Sequence, residues 1–136
     1  MPVVVDASVA ASWVLPDEKS PELLIALDRV RMETAVVPEL WWYEIRNVLL
    51  VSERRKSLTA ADTSEFLEAL RDLPIVLDRA VEERELFRLA RQHRLTIYDA
   101  AYLELARRTG SDLATLDKDL VRAAGSEGVP LIATAG

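Results

Sequence analysis

The sequence predicts an α/β fold with a central, mostly parallel sheet and helices on both faces. Three observations carry that expectation. Val3, Val4 and Val5 form an unbroken β-branched run, the pattern of a strand covered on both sides. Short apolar runs return later as "TAVV", "PIVL", "DLATLD" and "PLIAT". Between them lie longer segments with helical period and cap residues, and strands alternating with helices build parallel sheets.

In order, the strand ends at Asp6, and Ser8 is a candidate cap for a short helix running through Val14 and stopped by Pro16. Pro21 suits a first helical turn, and "ELLIALDRVR" continues it. After "TAVV", Pro38 opens the helix "ELWWYEIRNVLLVSERRK". Thr59 caps the next helix, with Asp62 three residues on as the second half of a capping box. "PIVL" is the third strand, and "RAVEERELFRLARQH" is helical. "LTIYDAAYLELARR" is the next helix, closed by Gly110. "DLATLD" is the fourth strand, "KDLVRAAGSEG" a short helix or turn, and "PLIAT" a fifth strand before a frayed "ATAG".

With 136 residues, the expectation is a single domain over residues 1–136, long enough for one substantial core. No apolar run reaches membrane-spanning length, and "MPVVVD" lacks the basic start and apolar stretch of a signal peptide. A soluble, cytoplasmic protein is expected. Cysteine is absent, which excludes disulfides and thiolate metal sites. The net charge of −6 disfavours nucleic-acid binding through phosphate contacts alone, unless acidic residues hold cations that reverse the local sign.

Four carboxylates occupy conspicuous places. Asp6 follows the first strand and Asp117 the fourth, where open parallel sheets bind ligands; each also suits a helix cap. Glu44 interrupts or borders an apolar helix face, stacked between Leu40 and Val48; an ion pair with an arginine such as Arg46 is the alternative. Asp99 stands three residues after Thr96, as in a capping box, yet shares a stripe with Leu95, Tyr102, Leu103 and Ala106. Asp119 reads as solvated, and His93, between Gln92 and Arg94, as surface-exposed. One histidine and no cysteine do not suit zinc, whereas clustered oxygen ligands suit Mg²⁺ or Mn²⁺.

The segments "VVVDASV", "PELWWYEIRNVL", "LTIYDAAYLELA" and "LATLDKDL", in this order, resemble the PIN-domain ribonucleases, above all the VapC toxins of toxin–antitoxin pairs. The resemblance covers essentially the whole chain. It implies a three-layer α/β/α sandwich and an acidic pocket that binds Mg²⁺ or Mn²⁺ and cuts RNA endonucleolytically. The family's acids fall on Asp6, Glu44, Asp99 and Asp117, with Asp6 and Asp99 as direct metal ligands and Ser8 and Thr115 as supporting hydroxyls. Glu44 and Asp117 would then hold a second metal, bind through water, or orient the nucleophile.

The resemblance also implies a small antitoxin partner and a homodimer. Two alternatives stay open: an RNA-processing or quality-control nuclease, and a non-catalytic RNA-binding module. Arg54, Arg55 and Lys56, then Arg88, Arg91 and Arg94, then Arg107 and Arg108 form basic groups that either hold the RNA backbone or are solvated helix faces. Trp41 and Trp42 point about 100° apart on one helix, so both can hardly face one narrow core stripe; one is a candidate interface residue, with core packing the expectation for at least two of the three tryptophans. Trp13 is a further candidate for a partner groove.

Overall fold

The fully buried valines of β1 (Val3–Val5) form the centre of the sheet. Each contributes about 1.5–3 kcal/mol by leaving water. The computed structural model describes residues 2–14 and 21–132. On one side β1 pairs in parallel with β2 (Ala35–Pro38), in the register Val3 to Ala35 and Val4 to Val36. On the other it pairs in parallel with β4 (Asp112–Ala114), Val3 meeting Asp112 and Val5 meeting Ala114. The edge strand β3 (Ile75–Asp78) adds to β2, giving the order β3-β2-β1-β4. The sheet is parallel throughout, because every return between strands is made by helices.

Those helices are α1 (Ala7–Ser12), α2 (Pro21–Met32), α3 (Glu39–Arg54), α4 (Ala60–Arg71), α5 (Glu83–His93), α6 (Ile97–Thr109) and α7 (Lys118–Ser126). α1 packs on α2 and α3, and α3 on α4; α5 and α7 pack against α6. α6 also crosses β1, β2 and β4, which explains why Ala100 through Ala106 are all buried. The expected caps hold at Thr59, which shares a complete capping box with Asp62, at Thr96, and at Gly110, whose φ of 64° suits a residue without Cβ. No helix among the described residues is long and apolar enough to cross a membrane.

Several expectations change. Asp6, not Ser8, caps α1, and the helix stops at Ser12 rather than Val14; Pro16 lies outside the described residues. The fourth strand is shorter than "DLATLD" because Asp117 turns the chain into α7. The fifth strand reduces to a single parallel bridge between Leu113 and Leu131, and the residues after Ile132 lie outside the described ones.

His93 is not a surface residue. Its side chain is only 8% exposed, and its Nε2 lies 2.6 Å from Oε2 of Glu127. A carboxylate only accepts, so Nε2 carries the proton. Glu127 also receives Arg88 at 2.9 Å, and Glu85 bridges Arg88 and Arg107. Arg108 pairs with Glu104 and Asp78. Arg88, Arg107 and Arg108 are therefore neutralised by these internal ion pairs. Arg54, Arg55 and Lys56 are all exposed, and Arg107 and Arg108 are exposed as well despite their ion pairs.

Candidate active site at the carboxyl end of the sheet

Asp6 leaves β1 and begins α1. Its Oδ1 accepts from the Val9 N–H at 2.9 Å and from the Ser8 hydroxyl at 2.8 Å. Its Oδ2 accepts from the Thr115 hydroxyl. The cap reading and the site reading are both correct here, since one carboxylate does both jobs. At 6% exposure, burial pushes its pKa upward, ahead of the opposing effect of those three donors and with a further push from Asp117.

Thr115 connects Asp6 to Asp117. While its hydroxyl donates to Asp6, its oxygen accepts from the Asp117 N–H at 3.1 Å. Asp117 in turn caps α7 by accepting from the Leu120 N–H at 2.9 Å. β1 and β4 are hydrogen-bonded neighbours, so the two acids leave adjacent strand ends. The backbone bond from the Asp6 N–H to the Ala114 carbonyl, 3.0 Å, fixes that junction.

Asp99 answers the capping question by contrast with Asp62. In α4 the Asp62 carboxylate reaches back to the Thr59 N–H at 2.9 Å. In α6 only the forward half of the motif forms, from the Asp99 N–H to the Thr96 hydroxyl at 3.0 Å. The Asp99 carboxylate, half-buried, has its pKa raised by burial and then by the charges of Asp117, Asp6 and Asp119. Glu44 lies on α3, close enough to Asp6 and Asp99 for their charges to act on it. Its Oε1 accepts from the Tyr102 hydroxyl at 2.6 Å, not from an arginine. Burial, then Asp6 and Asp99, raise its pKa.

The four predicted acids are thus linked by charge: Asp6 and Asp99 each feel Asp117, and Glu44 feels Asp6 and Asp99. They do not form a finished cage: among the described residues, no three carboxylate or imidazole groups stand in ready ligating geometry. The donor set is all oxygen and mutually repelling, which fits a hard divalent cation. Mg²⁺ retains several waters and needs only one or two carboxylates. Tyr102 is the site residue that sequence reasoning assigned to the core. It is 2% exposed, and burial with Glu44 holds its phenol well above the ordinary range. The available signal was its place three residues after Asp99, on the same helical face.

The raised pKa values carry a pH consequence. The folded state retains protons that the unfolded chain has already released above its ordinary carboxylate values, 3.8 for aspartate and 4.5 for glutamate. Stability without cations therefore falls as pH rises from those values through the raised ones. Urea midpoints measured from pH 4 to 7 should show this fall, and Asp6→Asn should flatten it.

A PIN domain family description matches residues 3–126. The chain belongs to the PIN-domain family. Ribonuclease VapC3 of Pyrobaculum aerophilum is 35% identical over 123 residues, covering 88% of this chain and 92% of that protein. Among solved structures, PAE2754 of Pyrobaculum aerophilum superposes with a TM-score of 0.70 at 23% identity, covering 90% of this chain and 84% of the other. VapBC2 of Rickettsia felis, bound to a DNA fragment from its promoter, gives 0.64 at 16% identity, covering 90% and 92%. These superpositions agree with the α/β/α layering of this PIN domain.

Proposed function

We propose that this PIN domain is a divalent-cation-dependent endoribonuclease and the toxin half of a VapBC-type pair, acting as one domain over residues 1–136. What supports the reading is the charge coupling that links Asp6, Glu44, Asp99 and Asp117, where burial and repulsion raise three carboxylate pKa values. Likeness to Ribonuclease VapC3 supports the nuclease class, and likeness to VapBC2 supports a small antitoxin as partner. RNA as substrate and a homodimer belong to the same proposal.

Asp6 and Asp99 would hold Mg²⁺ or Mn²⁺ directly, with Glu44 and Asp117 beside them. A cation bound there supplies positive charge against the charge developing on a phosphodiester and eases deprotonation of water. The chain's own groups do the rest. Ser8, Thr115 and the Val9 N–H fix the Asp6 carboxylate in one rotamer. The Tyr102 hydroxyl orients Glu44, and burial with Asp6 and Asp99 raises its pKa, which makes the carboxylate a stronger proton acceptor.

The test is labelled RNA incubated with the purified chain freed of partner proteins, in Mg²⁺, in Mn²⁺ and in EDTA. Internal cuts confined to the cation-containing reactions are expected. Cleavage that persists in EDTA overturns the metal reading, and no cleavage above an Asp6→Asn control overturns the enzyme. Growth arrest on expression, reversed by a small protein encoded next to this gene, is expected for the toxin reading. Its absence favours a processing nuclease.

Two further outcomes follow from the site. Mn²⁺ should raise the melting temperature of the parent protein and leave Asp6→Asn unchanged, because the ion binds only the folded carboxylates. Tyr102→Phe should fold normally yet cut RNA roughly ten- to a hundredfold more slowly, the usual effect of removing a group that orients a ligand. Its pH profile should shift toward higher pH, because the Tyr102 donor is what lowers Glu44.

A further inference from the structure

Away from the acidic hollow, a cleft of about 210 Å³ opens between α3, α4 and the edge strand β3. Its walls are aliphatic, from Leu67 and Leu70 on α4 and Leu73, Ile75 and Leu77 beside or on β3. Two guanidiniums, Arg46 and Arg71, stand at it. Neither has a carboxylate partner among the described residues, in a chain of net charge −6 where Arg29, Arg88, Arg107 and Arg108 are all ion-paired. The two repel each other, which together with burial lowers the pKa of Arg46. Trp41 also lines the cleft; it is 4% exposed, and its buried Nε1–H has no acceptor among the described residues.

We infer that this cleft is a docking site for an extended polypeptide segment that alternates apolar and acidic side chains. An apolar side chain fits between the leucines beside the Trp41 and Trp42 rings, and its neighbouring carboxylate meets Arg46 and Arg71. β3 supplies a means of attachment, since it is an edge strand paired on one side only and leaves Val76 and Leu77 exposed. RNA fits less well. The Trp42 face that a base would stack on is already covered by Arg46, 3.6 Å from the ring centroid, and Trp41 is only 4% exposed. The inference uses none of the four acids and stands apart from the nuclease reading.

The indole N–H signals of Trp13, Trp41 and Trp42 give a direct readout in ¹⁵N-labelled protein, assigned with Trp41→Phe. The probe is an acetylated, amidated hexapeptide alternating aspartate with leucine and phenylalanine; its twin carries asparagine for aspartate. The acidic peptide should move the Trp41 and Trp42 signals saturably, because both side chains line the cleft. Arg46→Gln with Arg71→Gln should weaken that binding roughly tenfold or more, the effect of losing charge-assisted hydrogen bonds. Arg71→Gln alone, at an exposed position, serves if the double variant does not fold. Equal binding of the asparagine twin, or no movement of Trp41, overturns the proposal. A uridine dodecamer that moves Trp41 when the peptide does not reassigns the cleft to nucleic acid. A Trp41 shift that follows protein concentration and a doubled mass reassigns it to a second copy.

Discussion

Asp6→Asn should lower RNA cleavage by roughly a hundred- to a thousandfold while leaving the fold intact, the scale of losing several kcal/mol of charge stabilisation at the reacting phosphate. The two halves of this expectation separate because Asp6 has two roles. As the cap of α1 it accepts from the Val9 N–H through Oδ1, and asparagine keeps a side-chain oxygen for that bond. As a carboxylate it supplies the charge a cation needs, and asparagine does not. Replacement also removes a buried charge that Asp117 opposes, so the variant without cations should unfold at the same or higher urea concentration than the parent. Circular dichroism, urea titration and cleavage of one labelled RNA measure all three. A variant that loses its fold along with its activity would mean that the cap alone explains Asp6.

Glu127→Gln should produce the largest loss of stability among the charge substitutions, about 2–3 kcal/mol and roughly 6–12 °C in melting temperature. Glu127 is 8% exposed and stands where α7 ends, accepting from His93 and Arg88 on α5 and lying near Arg107 on α6. A neutral amide leaves these donors facing a group that no longer balances them. Asp28→Asn, which disturbs only the exposed pair between Asp28 and Arg31, should change nothing measurable.

The pH dependence runs opposite to that of the acidic hollow. Arg88, first, and then His93 hold the Glu127 carboxyl down to about 2 from its ordinary 4.5. Its contribution is complete above 4.5 and is lost as pH falls toward 2. Acid unfolding of the parent should therefore be steep in that interval and shallower in Glu127→Gln.

The contrast between the two clusters shows what each kind of charge arrangement does. Around Glu127, opposite charges meet with hydrogen bonds, and the carboxylate is stabilised in its ionised form. Around Asp6, carboxylates act on carboxylates, and no arginine or lysine among the described residues lowers Asp6, Glu44 or Asp99. That imbalance favours a site for a cation over a structural ion-pair network.

Local physics alone fixed much of this protein in its sequence. Three consecutive valines demand burial on both faces and so place β1 inside the sheet. Thr59, Thr96 and Gly110 end helices through hydrogen bonds and dihedral angles spanning only a few residues, and each does so where its residue type requires. The acids after β1 and β4 were legible for the same reason, since a parallel sheet delivers its strand ends to one side. Tertiary structure decided the rest, because each outcome depended on a partner distant in sequence. Tyr102 became a hydrogen-bond donor to Glu44 only because α3 brought that carboxylate against it, and the His93 side chain became buried only because α7 ends at Glu127. The basic row on α5 and the pair ending α6 lost much of their freedom to bind RNA once Glu85, Glu104 and Glu127 packed against them. Periodicity tells which face of a helix is covered; the partner's identity, and hence the charge a side chain carries and the work it can do, is set by the packing of elements far apart in the chain.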